Sequence, residues 1–286
     1  MPTFQHQRSR GGPPRPPSQR ALFFAAAGLL LAGEAVFWLM LAAVQTNSGL
    51  ALLDGGVHTA LVEGRSASAT AILTAVSTVT SPAWMTAVGG LAALGWAIRN
   101  REIWRPALLL GAMAATLAVS TIIKHQVARG RPSASDFLMG PDDALSFPSG
   151  HTFGTGVFAL VLAYLLLGGA GARTVRRSTA VLAFSAAALG TLLVAFSRLY
   201  LGYHWLTDVV ASMGLAVAVT GVVVLVDGLR AARMSTLAER PAELQGAGPE
   251  AADALAAGRG HFAEDLGVGG AGWRRVRVKV PPDGGI

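Results

Sequence analysis

The 286-residue chain reads as an all-α membrane protein, a six-transmembrane-helix bundle with its reactive groups gathered at the extracytoplasmic face. Three observations lead there. Hydrophobic residues make up 52% of the chain and charged residues 14%, against about 25% charged in a soluble domain. The apolar residues fall into successive uncharged runs of bilayer length. The ionisable residues between those runs collect in loops, with unlike character on alternate sides of the bundle.

Residues 1–20 are rich in Pro, Gly and Arg, cannot bury a core, and are expected to be a disordered basic cytoplasmic tail. The first span runs from Ala21 to about Val44 and is apolar apart from Glu34. A signal peptide would have an apolar region of only about 7–15 residues, so an uncleaved span is expected. Residues 66–98 carry no charge. That run is too long for one upright crossing, and Ser81-Pro82 is expected to divide it into a short interfacial helix and a second span. Pro106–Ile123 supplies the third span, with Pro106 in the first helical turn, where its missing N–H is no loss. Thr152–Ala172, Ser178–Ser197 and Val209–Val226 supply the remaining three. The membrane domain is therefore placed at 21–230. From about Ala231 the chain is Ala-, Gly-, Glu- and Pro-rich, and 231–286 is expected to be a flexible cytoplasmic tail ending in the basic stretch Trp273–Lys279.

Arginine placement sets the expected orientation. Arg8, Arg10, Arg15, Arg20, Arg99, Arg101, Arg105, Arg173, Arg176, Arg177, Arg230 and Arg233 fall on one side, and outnumber Arg65, Lys124, Arg129, Arg131 and Arg198 on the other. The positive-inside rule then puts both termini in the cytoplasm of a multi-pass protein of the cytoplasmic membrane. The net charge of +7 calls for no nucleic acid, because cationic loops already serve topology and contact with anionic lipid. The chain has no cysteine, which excludes disulfides, thiolate catalysis and cysteine metal sites.

The loops on the less basic side hold the unusual residues. One carries Lys124, Arg131 and Pro132, then Pro148, Ser149, Gly150 and His151; the next carries Ser197 and Arg198, then His204 and Asp208. Lys124, Arg131 and Arg198 are enough cations to surround one phosphate dianion, arginine with a planar donor fork and lysine with a compact charge. Ser149 and Gly150 stand where the fourth span begins, and a helix N-terminus offers free N–H groups to an anion. His204 and Asp208 are four residues apart and share a helical face. Asp208 can then fix the imidazole tautomer and leave the other ring nitrogen nucleophilic. His151 begins another span, free to protonate a leaving oxygen. One histidine attacks and the other supplies the proton.

The pattern Lys124-x6-Arg131-Pro132, Pro148-Ser149-Gly150-His151 and Ser197-Arg198-x5-His204-x3-Asp208 resembles the type 2 phosphatidic acid phosphatase (PAP2) family, which shares its site with vanadium haloperoxidases. All three motifs match without gaps over 124–208, and the resemblance extends with the six-span core to roughly 21–229. It implies a metal-independent phosphatase, without cofactor, acting on lipid phosphates or pyrophosphates among the surrounding membrane lipids. By the same resemblance His204 forms a phosphohistidine, Asp208 orients it and His151 protonates the leaving group. Lys124, Arg131, Ser149, the Gly150 N–H and Arg198 hold the phosphoryl oxygens. The Ala-, Gly- and Arg-rich, Lys-poor composition points to a GC-rich bacterium. Undecaprenyl or decaprenyl pyrophosphate, the cell-wall carrier lipid, is a natural substrate there, with phosphatidate and phosphatidylglycerol phosphate as others. The alternatives are a lipid phosphotransferase using the same phosphohistidine, a haloperoxidase, and a non-catalytic lipid-binding membrane protein.

Outside the motifs, His58 and His125 read as ordinary interfacial residues. Glu34 reads as a carboxylate packed against a neighbouring helix near the cytoplasmic half of its span. Trp205 reads as an aromatic-belt or packing residue, with the lining of a substrate entrance beside His204 as the alternative. Arg129 has no role assigned by pattern.

Overall fold

The computed structural model describes residues 19–167, 169 and 175–246, with side chains as far as 237. Among the described residues there are eight α-helices and two 3-10 turns, and no strand. The α-helices are α1 (Gln19–Thr46), α2 (Asp54–Glu63), α3 (Ala67–Val79), α4 (Pro82–Asn100), α5 (Trp104–Val127), α6 (Gly150–Leu166), α7 (Arg177–Tyr200) and α8 (Leu206–Gly246). The 3-10 turns are Gly49–Leu53 and Ala134–Asp136.

Four helices, α1, α5, α7 and α8, are long and apolar enough to cross a bilayer. Helices α3 and α4 reach that standard only as a pair bent by 53°, and α6 is apolar but has 17 residues. Length and composition therefore give four crossings, or five with the bent pair, where the sequence reading counts six. The expected fourth span, Thr152–Ala172, is helical only to Leu166 among the described residues. The bend falls at Ser81-Pro82. Thr80 closes α3, the Ser81 hydroxyl accepts from the Trp84 N–H at 3.4 Å, and Pro82 opens α4, as its fixed φ favours.

The packing centres on α6. Phe153, Val157, Val161 and Leu165 repeat every fourth residue on one face and are fully buried, the spacing that aligns side chains along a helix. Phe147 joins them, with Phe37 of α1, Leu109 and Ala112 of α5, and Ala211, Leu215 and Ala216 of α8. The outer helical faces are different. Leu31, Leu91, Leu182 and Leu189 are among many large apolar side chains left exposed, as suits surfaces solvated by lipid rather than water.

Two differences from the sequence reading stand out. Residues 49–63 form a 3-10 turn and a short helix that no apolar run announces. At the other end, the compact unit closes at Ala232, yet α8 remains helical to Gly246 instead of giving way to irregular chain from 231. Ala231, Ala232, Met234 and Leu237 are good helix formers, and lengthening an existing helix avoids the cost of nucleating one. Of the expected tails 1–20 and 231–286, residues 19–20 belong to α1, and 1–18 and 247–286, including Trp273–Lys279, lie outside the described residues.

Glycine sets the contact between α1 and α8. A β-carbon at Gly33 would collide with the Gly214 carbonyl and stand 2.9 Å from Ala218 Cα, and one at Gly221 would stand 2.8 Å from the Ala26 carbonyl oxygen. Small residues that let backbones touch are a usual device of membrane helix pairs. Gly33→Val is expected to force the pair apart at a cost of about 1–3 kcal/mol, read as a lowered Tm of the detergent-purified protein.

Candidate active site

Hydrogen bonds and charge interactions bring together the C-terminus of α5, the N-terminus of α6, the C-terminus of α7 and the N-terminus of α8. The motif residues sit at those ends. Lys124 lies in the last turn of α5, Arg131 in the loop beyond it, and Ser149 is the N-cap of α6 with Gly150 and His151 in its first turn. Arg198 lies in the last turn of α7, His204 in the following linker and Asp208 in the first turn of α8. Gly202 makes the linker possible. Its φ is +90°, and a β-carbon there would stand 2.5 Å from the Asp136 carbonyl oxygen; a side chain is disfavoured on both counts.

His204 is only 3% exposed. Its Nδ1 lies 3.3 Å from Asp208 Oδ2, and its Nε2 lies 3.3 Å from Nη1 of Arg131. A guanidinium only donates, so Nε2 is the acceptor and Nδ1 carries the proton, which it gives to Asp208. Burial pushes the imidazole down to about 4 against the opposing pull of Asp208, and Arg198 and Arg131 add to the lowering. Asp208 is fully buried and saturated: its Oδ2 also accepts from the Trp205 N–H at 2.9 Å and from the Ser146 hydroxyl.

The three expected cations lie near enough for their charges to interact, Arg198, Arg131 and Lys124 each lining a different cavity, and each is held by the protein itself. Arg198, 3% exposed, donates to the Ser77 hydroxyl at 2.6 Å and lies over the Tyr203 ring at 4.2 Å. Among the described residues its buried Nε has no hydrogen-bond partner. Arg131 flanks Tyr203 at 5.9 Å and donates to the carbonyls of Ala144 at 2.6 Å and Tyr203 at 2.8 Å. Its Nη2 is paired with Asp142 at 2.8 Å. Lys124 donates to the Leu145 carbonyl.

Ser149 does not cap α6 through its side chain. Its N–H donates to Ser212 at 2.8 Å, while its hydroxyl accepts from Thr152 at 3.1 Å. Gly150 faces open space, since a β-carbon there would meet nothing within 4 Å. His151 and Arg198 line a cavity of about 300 Å³ with Ser77, Ser81, Trp84, Asp142 and Tyr203. His204 is near enough to His151 for their charges to interact. An apolar groove of about 340 Å³ runs between α4, α5 and α6, past Met85, Leu110, Met113 and Leu117, and reaches Lys124 and Gly150. The α3–α4 elbow divides the two spaces, with Ser77 and Ser81 on the polar side and Thr80 and Pro82 on the apolar side.

Several contributors were not visible as motif residues. Arg129 pairs with Asp208 at 2.6 Å and with Asp54 at 2.7 Å. Ser77, Asp142, Ser146 and Tyr203 hold the motif side chains as described above. Position in a loop beside a motif was the available signal for Arg129, Asp142, Ser146 and Tyr203; Asp54 and Ser77 offered none. Trp205 donates to the Gly130 carbonyl at 3.0 Å and packs near His58. His58 pairs with Asp136 at 3.0 Å, so it is tied into the loop rather than merely interfacial. Glu34 stands apart, accepting from Trp38 at 2.9 Å and lining a separate cavity between α1, α5 and α8.

Residues 105–231 match the model of the PAP2 superfamily, and they contain every motif residue. Phosphatidylglycerophosphatase B of Bacillus subtilis (strain 168) is 27% identical over 115 residues, 40% of this chain. The chain spans about half, 54%, of that relative's length. The crystal structure of a transmembrane PAP2-type phosphatidylglycerolphosphate phosphatase from Bacillus subtilis has the same fold, with a TM-score of 0.60 and 22% identity over 70% of this chain and 94% of the other.

Asp142 occupies the guanidinium that an incoming anion would use. Asp142→Asn removes that competitor, and the Kd for inorganic phosphate, by calorimetry in detergent, is expected to fall about tenfold, or ~1.4 kcal/mol.

Proposed function

We propose that the protein is an integral-membrane phosphatase that hydrolyses the terminal phosphate of a lipid phosphate or pyrophosphate through a phosphohistidine on His204. The observation that carries this reading is the two-sided restraint on His204. Nδ1 is bound to the Asp208 carboxylate, and the Nε2 lone pair faces Arg131, with Arg198 near enough to act on the same ring. An imidazole fixed in that tautomer is an oriented nucleophile.

The cycle uses this chain's own groups. Lys124, Arg131 and Arg198 neutralise the phosphoryl oxygens, with the Ser149 hydroxyl and the N–H of Gly150 as further donors. His204 Nε2 attacks phosphorus in line; the N–P bond forms as the bond to the leaving oxygen breaks, and His151, protonated once the phosphoryl anion offsets the surrounding cations, delivers its proton to that oxygen. Neutral His151 then takes a proton from water as the water oxygen attacks phosphorus. The N–P bond breaks, and inorganic phosphate and free His204 result. The positive charge needed for phosphoryl transfer comes from side chains, so the reaction is proposed to be metal-independent.

The apolar groove supports a lipid as leaving group. It meets the cradle at Lys124 and Gly150, so an acyl or prenyl chain can lie between helices while its phosphate reaches His204. Polyprenyl pyrophosphate, phosphatidate and, given the Bacillus relative, phosphatidylglycerophosphate all meet that requirement. The proposed topology has six crossings: α1, the α3–α4 pair, α5, α6, α7 and α8. At ~1.5 Å per residue, the 17-residue α6 is short for a bilayer core of about 30 Å, and its buried position within the bundle supports its inclusion. The arginine asymmetry supports cytoplasmic termini and a site on the outer face.

Phosphate release from undecaprenyl pyrophosphate, phosphatidate and phosphatidylglycerophosphate, assayed in detergent with EDTA, tests the reading. Release from at least one lipid, undiminished by EDTA, is expected; none from any would sink it. His204→Ala is expected to reduce turnover about 10³-fold or more and to abolish acid-labile phosphate labelling of the protein. In the pH profile, a depressed imidazole keeps its lone pair as the pH falls from 7, so the acid limb of kcat/KM is expected near 4 instead of the usual ~6.5.

A further inference from the structure

Asp208 is shared between two partners. Its Oδ2 faces His204, while its Oδ1 accepts from Arg129 Nη1 at 2.6 Å. Arg129 turns its other terminal nitrogen to Asp54 Oδ2 at 2.7 Å. The three side chains are 0%, 17% and 5% exposed for Asp208, Arg129 and Asp54. Asp54 is the first residue of α2, and its carboxylate also accepts from the N–H of Thr207 at 2.9 Å and its hydroxyl at 2.7 Å. An unbroken line of charge, Asp54–Arg129–Asp208, therefore ends on the histidine.

We infer that Asp54 is a positioning residue for His204, acting through Arg129 to keep the negative charge of Asp208 available to the imidazole. The inference rests on the reading of His204 as nucleophile and Asp208 as its orienter. A guanidinium bound directly to Asp208 would, on its own, cancel much of the field that this carboxylate exerts on the ring. Asp54 neutralises the guanidinium, so the triplet carries one net negative charge and directs it at Nδ1. The surroundings make that charge matter. Arg131 from the loop after α5, Arg198 from α7 and His151 from α6 also act on His204, and Lys124 of α5 acts on Asp208, so these neighbours of the His204–Asp208 pair are cationic or become so. Burying three ions is costly, and apolar side chains of the same volume often serve stability as well or better. A purely architectural role is therefore a poor account of the triplet. Asp54 also lies outside the 105–231 superfamily match, so the element that balances the charge comes from the N-terminal part of this chain.

The test uses the full chain in detergent, with phosphate release measured across pH and with vanadate as a probe of the cradle. Asp54→Asn is expected to lower kcat about tenfold, part of the 10²–10⁴-fold that positioned acid–base groups supply. It should move the acid limb to lower pH, because the imidazole loses part of its nearest negative field. KM and vanadate inhibition should hold, since the cradle is untouched, and Asp54→Glu should restore most of the rate. The double variant Asp54→Asn, Arg129→Gln removes one charge of each sign. It is expected to return the acid limb to its original position, a readout that damaged packing cannot produce. An unshifted limb in Asp54→Asn, or a shift that the double variant does not reverse, would overturn the inference. His204→Ala serves as the separate control: full turnover in that variant removes the nucleophile reading itself, and the role of Asp54 with it, whereas inactive His204→Ala with an unmoved Asp54→Asn profile removes the role of Asp54 alone.

Discussion

Charge at this site is matched to helix polarity. Lys124 and Arg198 lie in the last turns of α5 and α7, while Asp208 and Asp54 lie in the first turns of α8 and α2. A helix presents partial negative charge at its C-terminus and partial positive charge at its N-terminus, so each ionised side chain stands at the end that favours it. The N-terminus of α6, with Gly150 facing open space, is left with no acidic side chain in its first turn. That is the helix end from which free N–H groups point at an anion. Helix ends of both signs thus place cations and the Asp208 carboxylate about His204.

Burying the cations still has a cost, of several kcal/mol per ion even after relaxation, and the way it is offset suits the proposed anion site. Lys124 and Arg131 are satisfied chiefly by backbone carbonyls of residues 144, 145 and 203, neutral acceptors that leave the positive charge intact. Arg198 rests on a hydroxyl and an aromatic face, with one N–H unmet. A buried donor without a partner costs about 1–3 kcal/mol, which an entering oxyanion can recover. The one carboxylate paired with a cradle arginine from the solvent side, Asp142, has a side chain 31% exposed, and it belongs to a loop rather than to a helix. Fixed counter-charge is thus held behind the histidine, and displaceable counter-charge in front of it.

The sequence was informative wherever chemistry and local spacing coincide. The apolar runs matched four long helices and counted more spans than length and composition alone support, Ser81-Pro82 matched the bend, and the motif spacing named eight residues that lie at or beside the ends of α5, α6, α7 and α8. It was silent wherever the partner is distant in the chain. Asp54 meets Thr207 and Arg129, and Ser77 meets Arg198, across long loops of sequence, and nothing in a single polar residue at the edge of an apolar stretch tells which partner it will find. Ser149 shows the opposite case: a hydroxyl at the start of a helix ordinarily caps it, but here the hydroxyl turns to Thr152 and the N–H to Ser212. Local rules describe what an isolated helix end prefers, and a crowded site overrides them. The helix beyond 231 was missed for a different reason, because lack of amphipathic period argues against a buried face but not against continuation of a helix already formed.

The boundary of the superfamily match does not coincide with the boundary of the site. Residues 105–231 contain every cation of the cradle, both histidines and Asp208, yet that segment alone leaves Arg129 balanced on one side only and Arg198 without its hydroxyl partner. Asp54 and Ser77, both more than 95% buried, supply the missing groups from α2 and α3. The same stretch of chain provides Arg65, which donates to the carbonyls of Asp136 and Tyr200 and so fastens the α5–α6 loop to the end of α7. The N-terminal elements are therefore part of the electrostatics of the site and not merely a scaffold laid against it. A buried charge must be compensated by whatever packs over it, so each change in the covering elements is felt at His204 through the carboxylate they share.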